Sequence, residues 1–208
     1  RMNQIPETTL GGQTSTEVGG MIDLLTGGVY FRDGCASCLP KAGPVKEQID
    51  LVYVHGSAAH HTLFTAGGIG SVYANYRYIN DPNDPLYWGG DSNNGVLIRL
   101  VNPSSEELSL FDNAESVADL MAAFEYAVTA APDRNYAGYD PVTYDVAYYG
   151  PGHRAQRLEA GELLAYYSLD RDFVALIRLN DVYQTTTANN TANKRVDMEI
   201  KSGQFGPF

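Results

Sequence analysis

The residues best suited to chemistry are two cysteines three apart, Cys35-Ala36-Ser37-Cys38, and four histidines, His55, His60, His61 and His153. A Cys-x-x-Cys pair can be a redox dithiol, half of a metal site, a haem attachment point or a small disulfide. Covalent haem needs a histidine next, and position 39 is Leu. Zinc needs two further ligands, and neither a second Cys pair nor a His-x-His arrangement follows at a useful spacing. A thioredoxin-like motif opens a helix after a strand, whereas these flanks, Asp33-Gly34 and Leu39-Pro40-Lys41-Ala42-Gly43-Pro44, read as loop. Cys35 and Cys38 are therefore expected to form a local structural disulfide in an oxidising compartment.

His60 and His61 are adjacent and would point to opposite faces of a strand, while His55 and His61 could converge across a turn. Ligand spacings of the recurring kind are missing, so hydrogen-bonded or solvated histidines are expected, with no metal and no cofactor. There is no Gly-x-Ser-x-Gly elbow, Walker loop or His-Glu-x-x-His, and Gly67-Gly68-Ile69-Gly70-Ser71 lacks the Lys-Ser/Thr of a phosphate loop. No catalytic residue emerges, and the chain is not expected to be an enzyme. Asp81, Asn83, Asp84, Asp91, Asn93 and Asn94 crowd one oxygen-rich loop off the EF-hand register, where turn formation is the expected role.

Aromatic residues offer the better candidate surface. Tyr73, Tyr76, Tyr78, Tyr87 and Trp88 lie among glycines, prolines, Asn and Asp. Such rings stack on sugars, form the centres of subunit contacts, or pack as core beneath a long loop. Phe205 and Phe208 add two rings to the tail Ser202–Phe208.

These residues must be positioned by a mainly β chain. Residues 1–20 read as an extended N-terminal arm without helical period, and 21–208 as a single β-rich domain with a C-terminal meander. Met21–Thr26 and Val29–Phe31 flank Gly27-Gly28 as a two-residue hairpin. Ile49–Val54, Val96–Val101 and the two-faced Val142–Tyr149 read as strands, and His61–Thr65 continues or pairs with the first of them. The meander runs Leu163–Leu169, a turn at Asp170-Arg171-Asp172, Phe173–Tyr183, and Val196–Lys201. In Phe173–Tyr183 apolar residues fall on both faces at the start, so its early half is expected to be buried on both sides. One helix is convincing, capped by Asp112 with Glu115 and carrying Val117, Leu120, Phe124 and Val128 as its apolar stripe. The expected fold is an antiparallel β-sandwich, α+β at most, with one principal helix and long aromatic loops.

The 208-residue chain carries 25 acidic and 14 basic residues, a net charge of −11. That balance excludes phosphate-backbone binding as the main task, so no nucleic acid is expected. The longest strongly apolar stretch, Ile49–Val54, is interrupted by Asp50 and falls far short of the roughly 20 residues that span a bilayer, so no transmembrane segment is expected. The start Arg1-Met2-Asn3, with no initiator methionine in first place and no charged-then-apolar leader, reads as a mature or a trimmed product, and a removed export signal is compatible with it.

The order of motifs resembles an uncharacterised family of exported, lipoprotein-like β-rich domains of Bacteroidetes-type bacteria. The residues that carry it are Leu10-Gly11-Gly12-Gln13, Gly20 with Met21 to Asp23, Thr26-Gly27-Gly28-Val29-Tyr30, Ile49-Asp50-Leu51-Val52-Tyr53, Leu164-Ala165-Tyr166, Ala175-Leu176-Ile177-Arg178-Leu179 and Val196-Asp197-Met198-Glu199-Ile200-Lys201. The resemblance covers both ends of the chain but not its aromatic centre, and it implies no catalytic residues.

The Gly- and Thr-rich arm and the aromatic tail are expected to dock, either back onto their own domain or onto a neighbouring copy. The leading expectation is a non-catalytic extracellular or cell-surface structural subunit, with the periplasm as the other compartment. It self-assembles as a homo-oligomer or homopolymer, filament or tube, through its terminal arms and aromatic loops. The alternative is a surface-exposed carbohydrate- or ligand-binding module with a glycan as partner.

Overall fold

The computed structural model describes residues 1–56, 60–70, 73–133, 152–183 and 194–205, the side chains of 131–133 excepted. In chain order the strands are β1 (Met2–Gly11), β2 (Met21–Ile22), β3 (Val29–Tyr30), β4 (Leu51–Gly56), β5 (His60–Thr65), β6 (Gly95–Leu100), β7 (Arg154–Ala155), β8 (Leu163–Ser168), β9 (Phe173–Tyr183) and β10 (Arg195–Gln204). Two helices, α1 (Ser105–Asp112) and α2 (Val117–Asp133), follow β6. The strands form two antiparallel five-stranded sheets, ordered β1-β10-β9-β8-β6 and β3-β2-β4-β5-β7. The fold is therefore mainly β, a sandwich with one main helix.

Three apolar layers hold it together, and β9 shows how the sequence builds them. Phe173, Ala175, Ile177 and Leu179 face the second sheet, packed with Ile5, Leu10, Leu51, Tyr53 and Tyr166. Val174 and Leu176 face the helices, packed with Phe111, Leu120, Phe124 and Ala127. Both faces of the first half of β9 are buried, as its unbroken apolar run requires. In β4, Leu51 and Tyr53 join the inter-sheet core, whereas Val52 and Val54 face outward beneath a lid of irregular chain carrying Tyr76, Tyr78, Ile79 and Trp88. Each large apolar side chain buried in these layers is worth about 1.5–3 kcal/mol.

Several local expectations shift. Asp112 ends α1 and does not cap α2. The α2 cap is Ser116, whose hydroxyl accepts the Asp119 N–H while the Asp119 carboxylate accepts the Glu115 and Ser116 N–H groups. Val128 lies partly exposed and Ala127 takes its place in the stripe, because a 3.6-residue period from Leu120 and Phe124 arrives at 127. Helix α1 has its own capping box, Ser104 with Glu107. The Gly27-Gly28 hairpin has a six-residue connection, since only Met21↔Tyr30 and Ile22↔Val29 pair. The Asp23 carboxylate accepts the Leu25 N–H and the Thr26 hydroxyl and draws those residues out of the strand. His60–Thr65 pairs with β4. The expected strand Val142–Tyr149 lies outside the described residues.

The N-terminal stretch is extended and belongs to the sandwich. β1 pairs with β10 from Met2↔Gly203 to Gly11↔Arg195, and Ile5 and Leu10 are core residues.

Candidate functional site

The aromatic run is built into the lid. Tyr76, Tyr78 and Trp88 are buried, Tyr73 is half-buried with its ring 4.9 Å from that of Phe64, and only Tyr87 with Leu86 is exposed. Tyr78 and Trp88 meet edge to face at 5.8 Å. Asp33 ties them down: its carboxylate accepts the Trp88 indole N–H at 2.9 Å and the Gly43 N–H at 2.7 Å, and its own N–H donates to the Tyr78 hydroxyl at 3.1 Å. Burial raises the hydroxyl pKa values of Tyr76 and Tyr78. Tyr76, Tyr78 and Trp88 are thus buried as core under a loop. The outer face of β4 and β5 needed covering, and the rings supply the area.

The same loop's polar residues anchor turns. Asp84 pairs with Arg77 and Asp91 with Lys46, whose ammonium also donates to the Trp88 carbonyl. Asp81 accepts from Asn83, Asn93 donates to the Glu47 and Ile49 carbonyls, and the Asn94 N–H donates to Asp170. Among the described residues no group of three or more His, Cys, Asp or Glu is placed to hold a metal ion. Cys35 and Cys38 are joined as a disulfide with Cα atoms 5.4 Å apart.

The histidines of the second sheet do converge. His55 and His61 are directly opposed in the β4–β5 ladder, with ring centroids 4.8 Å apart. The Tyr53 hydroxyl meets His61 Nδ1 at 2.5 Å, and the Gln13 side-chain amide brackets the His55 backbone with bonds of 2.8 and 3.0 Å. Burial, then the charge of Lys194, then His60 push His55 down to about 4. Burial, then His55, Lys194 and His60 do the same for His61. Burial thus keeps both imidazoles in the neutral form at pH 7. His153 Nδ1 lies 3.3 Å from the Thr65 hydroxyl.

Two buried charge clusters carry more than the sequence signals. Arg171, in the β8–β9 turn, reaches Asp50 at 2.7 Å, Asp23 at 3.0 Å and the Gln48 carbonyl at 2.7 Å. Asp50 also accepts the Leu24 N–H at 2.8 Å. Burial lifts the Asp50 carboxyl to about 7 in spite of Arg171. In the second cluster Arg99 grips Glu162 with two nitrogens and donates to the Gln156 and Arg157 carbonyls, fastening residues 156–162 to the first sheet. Asp50 breaking an apolar run was the one visible sign of the first cluster; nothing in the sequence pointed to the second.

The described surface includes the edge at β1 and two grooves. β1 is the outermost strand of the first sheet, and among the described residues no strand lies beyond it, its outer edge being closed only at its end, where the Gly11 N–H donates to the Gly19 carbonyl. A bulge at Pro6 and Glu7 divides it into Met2–Ile5 and Thr8–Gly11. Beside it, Arg1, Val117, Ala118, Met121, Gln204 and Phe205 line an apolar groove of about 480 Å³. A second groove of about 430 Å³ separates α1 from α2 at Leu110, Ala122 and Tyr126. Phe205 packs 5.9 Å from Tyr167; Phe208 lies outside the described residues. No described helix is long and apolar enough to cross a membrane.

Fold and surface together define a helix-backed antiparallel sandwich. Its sequence matches no family model and no curated protein. Among solved structures, it is similar to a DUF4466 family protein from Parabacteroides merdae, with a TM-score of 0.50 and 13% identity over 98% of this chain. The chain spans about half that protein's length, 54%. At this identity the likeness is one of fold, and it falls within the Bacteroidetes, where the motif resemblance pointed.

Proposed function

We propose that this chain is a non-catalytic extracellular structural subunit that self-assembles, with the outer edge of β1 as its contact. One observation carries the reading: from Met2 to Leu10 strand β1 pairs with a strand on one side only, its outer edge being closed at Gly11, whose N–H donates to the Gly19 carbonyl, so the outer backbone groups before Gly11 are left to receive a strand. The bulge at Pro6 and Glu7 limits that pairing to two short segments and sets its register. Pairing of β1 with β1 closes a dimer, whereas pairing of β1 with a different surface of the next copy propagates into a filament or tube; the other end of the sheet, β6, is capped at Leu97 by its two backbone bonds with Gly152. The disulfide favours an oxidising compartment outside the cytoplasm. The potential acid–base groups described above are engaged in packing or ion pairs, which supports a non-catalytic role. A glycan-binding reading retains only Tyr87 and half-buried Tyr73 from the aromatic run.

Glu7→Pro is the test. Glu7 lies in the bulge, outside the paired register with β10, so proline there spares the paired segments Met2–Ile5 and Thr8–Gly11 while hindering an incoming strand. The parent chain should grow in mass with concentration by light scattering, and the variant should stay monomeric with the same circular-dichroism spectrum. A parent that is monomeric at every concentration contradicts the reading.

A further inference from the structure

We propose that the Cys35–Cys38 disulfide is a redox latch on the aromatic lid: reduction releases Asp33 and with it the Tyr78–Trp88 pair from the outer face of the second sheet. The argument rests on what holds this loop in place. From Gly34 to Lys41 the only buried side chains are the two cysteines, while Ala36, Ser37, Leu39 and Pro40 are exposed. Leu39 is 78% exposed, so the loop has no other apolar anchor along this stretch. Its base is closed by two backbone bonds, Phe31 N–H to the Pro40 carbonyl at 2.8 Å and Ala42 N–H to the Phe31 carbonyl at 2.9 Å. Within it the backbone bonds are long, 3.2 Å for Cys35 to Arg32 and 3.4 Å for Cys38 to Cys35. The S–S crosslink therefore holds the conformation that sets Asp33, two residues before Cys35.

Asp33 in turn is the junction between loop and lid. Through one residue the loop binds the Trp88 indole, the Tyr78 hydroxyl and the Gly43 backbone. Segments held by few buried contacts open first, and opening here leaves both sheets intact. The chemistry needs an external dithiol. One of its thiolates attacks a protein sulfur and breaks the S–S bond, giving a mixed disulfide, and the departing cysteine thiolate takes a proton. The second reductant thiol then displaces the other cysteine, so that Cys35 and Cys38 end as thiols and the reductant leaves as a cyclic disulfide. Two electrons and two protons pass to the protein.

Trp88 is the sole tryptophan and reports directly on the lid. The experiment adds dithiothreitol to the native chain and follows Trp88 emission, acrylamide quenching, thiol count and far-ultraviolet circular dichroism. The expected result is a red shift with increased quenching as two thiols appear, reversed on reoxidation, with the β spectrum unchanged. Cys35→Ser with Cys38→Ser should show the shifted emission with or without reductant. Full reduction with unchanged emission overturns the latch. So does a disulfide that resists reduction until denaturant is added, or loss of the whole β spectrum on reduction.

Discussion

Arg171 and Asp50 meet at 2.7 Å across the two sheets, one from the β8–β9 turn and the other from the residue before β4. The guanidinium also bonds Asp23, so two nearly inaccessible carboxylates share one cation. Removing the cation leaves buried charge uncompensated. Arg171→Met is expected to cost about 3–5 kcal/mol in chemical denaturation, the range for breaking a buried pair from one side.

The same pair sets a pH dependence. The Asp50 carboxyl titrates near 7 in the folded chain against an ordinary 3.8, so the folded state binds this proton more tightly than the unfolded state. Its contribution to stability is full below pH 3.8 and is lost as pH rises through about 7. A tenfold difference in proton affinity between the two states is worth about 1.4 kcal/mol, which makes the effect a few kcal/mol. Asp50→Asn, which keeps the shape and holds no proton to release, should remove this slope from a plot of unfolding free energy against pH.

His55 and His61 act in the opposite sense. Both titrate near 4 against an ordinary 6.5, so stability from their neutral forms is complete above pH 6.5 and is lost as pH falls through about 4. Between these limits the histidines offset Asp50. In Asp50→Asn the loss of stability on acidification should therefore be steeper than in the parent chain, and the imidazole resonances of His55 and His61 should titrate well below that of a solvent-exposed histidine.

Asp33→Ala tests the lid from its other side. The change leaves the buried Trp88 indole N–H and the Gly43 N–H without their acceptor, each costing about 1–3 kcal/mol if no water replaces it. Trp88 emission should shift to the red, and urea denaturation should show the corresponding loss.

Periodicity made the meander legible. Phe173–Ile177 cannot be apolar at every position and leave a face in water, so its layers follow from the run itself. β1 read as an arm because Pro6, Glu7 and the threonines break alternation; its partner β10 lies 188 residues away at Thr9 and Asp197. α1 went unread although Ser104 and Glu107 spell its capping box, since the neighbouring Asp112 and Glu115 offer the same pattern to a longer apolar stripe. The rings at Tyr76, Tyr78 and Trp88 suit a sugar, a subunit or a core equally well by type. They pack on the outer face formed by Val52, Val54 and Phe64, which no local pattern ties to them. Asp50 found its cation 121 residues later, beyond any local reading.

Amide hydrogen exchange along β1 at rising protein concentration tests the central claim most directly. The account predicts that outward-facing amides in Met2–Ile5 and Thr8–Leu10 exchange more slowly as concentration rises, while those already bonded to β10 stay constant. Exchange in β1 that is independent of concentration, alongside a mass that grows, would place the contact elsewhere on the molecule and contradict the account.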